Sequence, residues 1–354
     1  MSNRTTFHPP PDQQLLPEDG ERHVVALPIL DSAVVIHSTL MCEVLDLVAR
    51  IAPSDASILL TGESGVGKEV VARAIHQLSP RNGHEFVAIN CATLSDDTLA
   101  NELFGHEKGA FTSADERKSG VVEIAHGGTL FLDEVNEMGL ACQAKVLRAL
   151  ERREFRRLGG TRKIKVDVRL VAAANVDLEA AVRAHQFRED LFYRLNVVRV
   201  HIPPLRERRE AIAPMARQFL REFCEKYGKR SRIFTDDALA RLTHYAWPGN
   251  VRELRNVVES LVLMTKGERI SGRDLPANIR TTPTQAEIRL PIGITLQEAE
   301  KEILRCCLEV FPTKKEVARV LGIGLRTLHA KIRAYDLPAR RQRASVSHSA
   351  TIAV

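Results

Sequence analysis

The sequence predicts an α/β fold around a largely parallel sheet, then a helical region, then a separate all-helical unit at the carboxyl end. Three observations carry this reading. Short apolar runs at 57–60, 86–89, 129–132, 168–172 and 197–202 alternate with stretches whose apolar residues recur at helical spacing, as strands joined by crossover helices do. After Pro203 and Pro204 those runs stop, and residues 206 to about 275 read as helices punctuated by Tyr227-Gly228-Lys229, Trp247-Pro248-Gly249-Asn250 and Gly267. A compact helical pattern runs from Leu296 to Leu337, behind a stretch, Thr281 to Gly293, that holds Pro283, Pro291 and Gly293.

These signals divide the chain into an arm at 1–22, an α/β region at 23–205, a helical region at 206–278, a linker at 279–294, the terminal helical unit at 295–338 and a polar tail at 339–354. The arm is rich in Pro, Gln, Asp and Glu and is expected to be disordered. Of the 354 residues 27% are charged and 44% hydrophobic, an ordinary globular balance. No apolar run reaches membrane-spanning length and the start lacks a signal-peptide apolar region, so a cytoplasmic protein without membrane contact is expected. Cysteines at 42, 91, 142, 224, 306 and 307 show no C-x-x-C pairing and no histidine at metal-site spacing, which predicts reduced core thiols. The net charge is +6, and residues 313–343 alone hold nine Lys or Arg against two acids, which points to a polyanionic partner there.

In chain order, apolar residues at 35, 41, 44, 45, 48 and 51 predict a helix before the first strand. Behind that strand stands Thr61-Gly62-Glu63-Ser64-Gly65-Val66-Gly67-Lys68-Glu69, spaced G-x-x-x-x-G-K and followed by the amphipathic run Val70 to Ile75. A strand, a glycine-rich turn and a helix start are what a phosphate-binding loop needs: glycines let backbone N–H groups face an anion, the helix dipole adds positive charge, and Lys68 reaches the outer phosphates. Glu69 stands where Ser or Thr usually touches magnesium. Gly127 to Glu134 is an apolar strand ending in two carboxylates; Asp133 is assigned to a magnesium shell and Glu134 to the attacking water. Asn175, at the end of Val171-Ala172-Ala173-Ala174, is a candidate sensor of the terminal phosphate. Arg188 and Arg194 fit guanidinium groups supplied to a neighbouring subunit's phosphate, with local salt bridges to Glu189 and Asp190 as the alternative. Arg252, at the start of a helix, can reach back to the same nucleotide.

Together these stretches resemble the AAA+ P-loop NTPase domain of bacterial enhancer-binding proteins, the NtrC family of ATP-driven activators of sigma-54 RNA polymerase. The resemblance spans roughly residues 30 to 338. Its most specific mark is Glu102 to Ala114, which in that family carries a loop reading G-A-F-T-G-A that grips the sigma factor; here it is Gly109, Ala110, Phe111, Thr112, Ser113 and Ala114, with Ser113 in place of the second glycine. The resemblance also implies that G-K-E is the normal form of the phosphate loop, that Asn90 holds the catalytic glutamate inactive until nucleotide state releases it, that Arg188 and Arg194 are fingers acting in trans, and that Asn175 and Arg252 are the first and second sensors. Fingers in trans imply a homo-oligomeric ring, a hexamer or heptamer.

Residues 296–337 resemble a Fis-type helix-turn-helix. Lys315 to Leu321 supplies a first helix, Gly322-Ile323-Gly324 the turn and Leu325 to Tyr335 the second; Val317, Ala318, Leu321, Ile323, Leu328 and Ile332 are expected to pack the unit, leaving Arg326, Thr327, His329, Lys331 and Arg333 for enhancer DNA. Gly324 stands where that family usually caps the second helix with Ser. The expected function is a sigma-54-dependent activator that uses ATP and Mg2+ to remodel the closed polymerase complex. The receiver or sensing domain usual at the amino end of the family is missing from this sequence, which suggests control by a trans-acting regulatory protein or by expression level. Two other readings stand beside it: a DNA-binding regulator that uses nucleotide only to assemble, and a motor of this class acting on another substrate.

Overall fold

The computed structural model describes residues 38–112, 114–280, 290, 293–311, 313–335 and 337, in two compact units, residues 1–276 and 277–354. The expected arm, most of the linker, the tail and Ser113 lie outside the described residues. In the first unit, β1 (Ile58–Thr61), β2 (Phe86–Asn90), β3 (Thr129–Asp133), β4 (Arg169–Ala174) and β5 (Val198–His201) form one parallel sheet in the order β2-β3-β4-β1-β5. β1 and β4 are covered on both faces, which explains why they read as continuous apolar runs rather than alternating ones.

Successive residues of these strands feed two cores. Leu59, Leu130, Leu132 and Ala172 face one side, against Leu99 and Leu103 of α3 (Asp96–Phe104) and Val146 of α4 (Leu140–Arg152). Leu60, Phe131, Val171 and Ala173 face the other, against Val44 and Val48 of α1 (Thr39–Ile51) and Val71 and Ile75 of α2 (Lys68–Gln77). The result is a three-layer sandwich whose crevice lies at the carboxyl ends of β1, β3 and β4. Arg169 is a large charged side chain sealed inside it, and its guanidinium donates to the Ile51 and Ala52 carbonyls at the end of α1, where a helix leaves acceptors open.

The helical region holds α6 (Ile212–Lys226), α7 (Asp236–His244) and α8 (Asn250–Met264), after α5 (Glu189–Leu195) of the α/β region. It also contains a parallel pair, Ile233–Phe234 with Arg269–Ile270, where the sequence predicted helices only; two residues per strand leave no alternation to detect. In the second unit α9 (Leu296–Val310), α10 (Lys314–Val320) and α11 (Leu325–Ala334) close on Leu304, Cys307, Val317, Ala318, Leu328 and Ile332. Thr295 and Glu298 form a capping box at α9 and Thr313 caps α10, whereas α11 starts at Gly324 with no side-chain cap. None of the six cysteines is joined in a disulfide, and five are buried. Among the described residues no helix is long and apolar enough to cross a membrane.

Trp247, the chain's sole tryptophan, is fully buried; its Nε1 donates to Leu242 O at 2.8 Å and its ring meets Tyr245 edge-on at 5.0 Å. Leu254→Ala, at a fully buried position of α8, is expected to destabilise this region by about 2–5 kcal/mol, read as a red shift of Trp247 emission at lower denaturant concentration.

Candidate active site

β1 leads straight into the loop 62–67, and α2 begins at Lys68 with Gly67 as its N-cap. Gly62, Gly65 and Gly67 have φ of 150°, 76° and 106°. A Cβ on Gly62 would lie 2.7 Å from Ile202 O, and one on Gly65 2.5 Å from Gly249 O, so both conformation and space demand glycine at these two positions. Among the described residues the backbone amides from Glu63 to Gly67 donate to no protein acceptor. Lys68 is nearly buried, with Nζ 2.9 Å from Gly62 O and 3.1 Å from Glu63 O; burial pushes its pKa down while Asp133 and Glu134 pull it back up. Unspent amides, a helix start and a confined ammonium fit a polyphosphate.

Opposite stand the two carboxylates at the end of β3. Burial pushes the Asp133 pKa up, against the pull of Lys68. Asp133 Oδ1 accepts the Glu134 amide at 3.0 Å and Oδ2 the Asn90 amide group at 3.4 Å. The family resemblance pairs Asn90 with the glutamate; here it is turned to the aspartate, because β2 and β3 set Asn90 directly beside Asp133 and Asn90 Oδ1 is spent on Ala92 N–H. Glu134 adopts a left-handed backbone (φ 54°), and its Oε1 lies 3.5 Å from Nδ2 of Asn175. The amide beside the candidate water-activating group is thus Asn175.

The helical region reaches the loop directly. Arg252 Nη1 donates to Ser64 Oγ at 3.0 Å, and a cleft of about 390 Å³ opens beside them, lined also by Gly249, Asn256 and Ser260. Residues that the sequence reading assigned no role complete the contact: Arg206 forks onto Glu63 at 2.6 and 2.8 Å, and Asn250 Nδ2 reaches Glu63 Oε2 at 3.1 Å. Arg206 and then Asn250 hold the Glu63 carboxyl down at a pKa of about 2. Asn250 is fully buried with φ 51°; the Trp-Pro-Gly-Asn turn was the only sequence signal for it.

The remaining candidates lie elsewhere. Arg188 forks onto Asp190 at 2.7 and 3.0 Å, the local pair weighed as its alternative, and Arg194 makes a long contact of 3.4 Å to Leu150 O; neither bonds to the loop or the carboxylates of its own chain. The 109–114 loop is closed by Gly109 N–H to Ala114 O (2.8 Å) and Ala114 N–H to Phe111 O (3.0 Å). Phe111 is 41% exposed and lies edge-on to His106 at 4.9 Å. Just before the loop, Glu107 is bonded to the buried Arg157, which also bonds to Glu123, a clamp with no signal in the sequence. On α11, Arg326, Thr327, His329 and Arg333 are exposed, whereas Lys331 Nζ pairs with Glu300 at 2.6 Å.

Because the fold holds the Asp133 pKa above its unfolded value near ~3.9, its stabilising share is complete below that value and is lost as pH rises through the folded pKa. Asp133→Asn is therefore expected to raise the melting temperature of the nucleotide-free protein at pH 7, with the gain shrinking as pH falls toward about 4; thermal unfolding across that range checks it.

Residues 34–201 match the family described as the Sigma-54 interaction domain, 206–289 the AAA+ ATPase lid domain and 295–335 the bacterial regulatory proteins of the Fis family. Transcriptional regulatory protein ZraR of Klebsiella oxytoca is 47% identical over 315 residues, covering 88% of this chain and 71% of that protein. Regulatory protein AtoC of Escherichia coli (strain K12) is 46% identical over 310 residues, covering 85% and 67%. The crystal structure of NtrX from Brucella abortus in complex with ATP aligns with a TM-score of 0.65 at 38% identity, covering 86% of this chain and 69% of that one. With its phosphate loop, paired carboxylates, helical lid and Fis-type helices, the chain belongs to the sigma-54-dependent transcriptional activators and carries their AAA+ ATPase domain.

Proposed function

We propose that this chain assembles into a ring, hydrolyses ATP at the interfaces between its subunits, and uses the 109–114 loop to remodel a closed sigma-54 RNA polymerase complex from enhancer DNA held by α11. The observation that carries the reading is that one α/β body holds both a loop of unspent amides whose Lys68 feels the charges of Asp133 and Glu134, and a closed surface turn presenting Phe111. An aromatic presented from a turn of small residues is suited to insertion into a partner's pocket. Within the site, the amides of 63–67 and Lys68 bind phosphate oxygens, Arg252 contacts them from the lid, and Glu134 orients and deprotonates water, with Asn175 and Asn90 controlling the two carboxylates. Asp133 would hold Mg2+ through water, and the ion would supply charge neutralisation on the phosphates when bound.

Arg188 and Arg194 bond to neither the phosphate loop nor the carboxylates of their own chain, and their exposed position suits delivery to the next subunit's site, which requires a closed hexamer or heptamer. Arg326, Thr327, His329 and Arg333 form the DNA face, and a cytoplasmic regulatory protein acting in trans suits control of such a ring. The second reading, a regulator that assembles with nucleotide but cannot drive the polymerase, is favoured by Ser113, which narrows backbone freedom where the family has glycine.

Open-complex formation on a sigma-54 promoter with ATP, measured beside Ser113→Gly, separates the two: activity in both supports the activator, activity only in the glycine variant supports the assembly regulator. Glu134→Gln is expected to lower ATP turnover by at least about 100-fold while leaving DNA affinity unchanged.

A further inference from the structure

The five carbonyls from Gly62 to Val66 are all held. Lys68 Nζ takes Gly62 O and Glu63 O at 2.9 and 3.1 Å, Asn250 Nδ2 takes Ser64 O at 3.0 Å, the Val251 amide takes Gly65 O at 3.0 Å, and Arg208 Nη2 takes Val66 O at 2.7 Å. The described peptide bonds are trans, so each held carbonyl points the following N–H in the opposite direction within the same peptide plane. Those are the amides of Glu63 to Gly67, which find no acceptor in the described protein. Three consecutive planes, at Ser64, Gly65 and Val66, are anchored from residues beyond the sheet, at 208, 250 and 251.

Arg208 is the least expected of these anchors. It is 5% exposed, its Nε has no partner among the described residues, and no described carboxylate forms an ion pair with it. Burying a guanidinium this way is unfavourable, and desolvation lowers its pKa to about 10. What the arrangement provides is a cation against the back of the Val66–Gly67 peptide, which polarises the Gly67 N–H on the front. The geometry points to Arg208 as a positioning residue of the phosphate site, acting with Asn250 to aim the loop's amides and thereby to link the seating of the lid to nucleotide affinity. This rests on the ATPase reading of the loop and goes beyond it by naming what keeps the amides turned outward. If the lid turns away, three amides in a row lose their alignment, and a nucleotide that needs those amides resists the turn.

The test is binding of ADP and ATP, by titration calorimetry on the full chain, to Arg208→Met, Arg208→Lys and Lys68→Ala. Arg208→Met is expected to weaken both nucleotides about tenfold or more, to raise KM with kcat within about twofold, and to leave the folded protein's melting temperature without nucleotide the same or higher, whereas a merely structural arginine would lower it. Arg208→Lys, which keeps a donor, is expected to fall between, at about a threefold loss; where the methionine variant does not fold, this one decides. Unchanged affinity in the folded Arg208 variants, with binding lost in Lys68→Ala, overturns the inference and leaves the ATPase reading standing. Undiminished binding in Lys68→Ala overturns the ATPase reading itself.

Discussion

The structure depends on one constraint: a run of backbone amides must be kept without protein acceptors and pointed at an anion, although the loop that carries them is only partly exposed. Backbone donors left unpaired inside a protein are unfavourable, so a loop of this kind persists only where its carbonyls are bonded from behind and its glycines absorb left-handed conformations. β1 and α2 supply the frame, Lys68 folds back over the first two carbonyls, and the helical region holds the next three. The sheet order follows from the same requirement, because β1 lies between β4 and β5 and so opens the loop into the crevice where β3 delivers Asp133.

The carboxylates show how adjacent residues acquire different characters. Asp133 ends the strand, stays partly buried and accepts bonds from Asn90 and the next amide, so its charge is confined. Glu134 leaves the strand through a left-handed turn that swings its side chain toward Asn175 at the end of β4. One residue of backbone geometry therefore separates a group suited to holding a metal shell from one suited to handling water.

Several charges at the surface are restrained by local ion pairs. Arg188 rests on Asp190 in an exposed pair and Lys331 on Glu300 in a half-exposed one, and such pairs contribute little in isolation. The 109–114 turn is held differently, by its own backbone bonds, by Ala110 packed closely against Gly159 and by Glu107 in the Arg157 clamp, so that Phe111 is presented from a firm base.

The sequence by itself determined the α/β class, the five main strands, the phosphate loop, the paired carboxylates and the terminal helices, since each is written in a local period or a short spacing: G-x-x-x-x-G-K, an apolar strand ending in Asp133-Glu134, or Val317, Leu328 and Ile332 at helical intervals. Only the tertiary structure decided the contacts made across long sequence separations. It turned Asn90 to Asp133, put Asn175 beside Glu134, and brought Arg206, Arg208 and Asn250 onto a loop more than 130 positions away. No periodicity in a single chain reports such pairings, because they are set by the order of strands in the sheet and by where the helical region folds back, and an arginine in a charged stretch looks the same whether it ends in water or beneath a peptide plane.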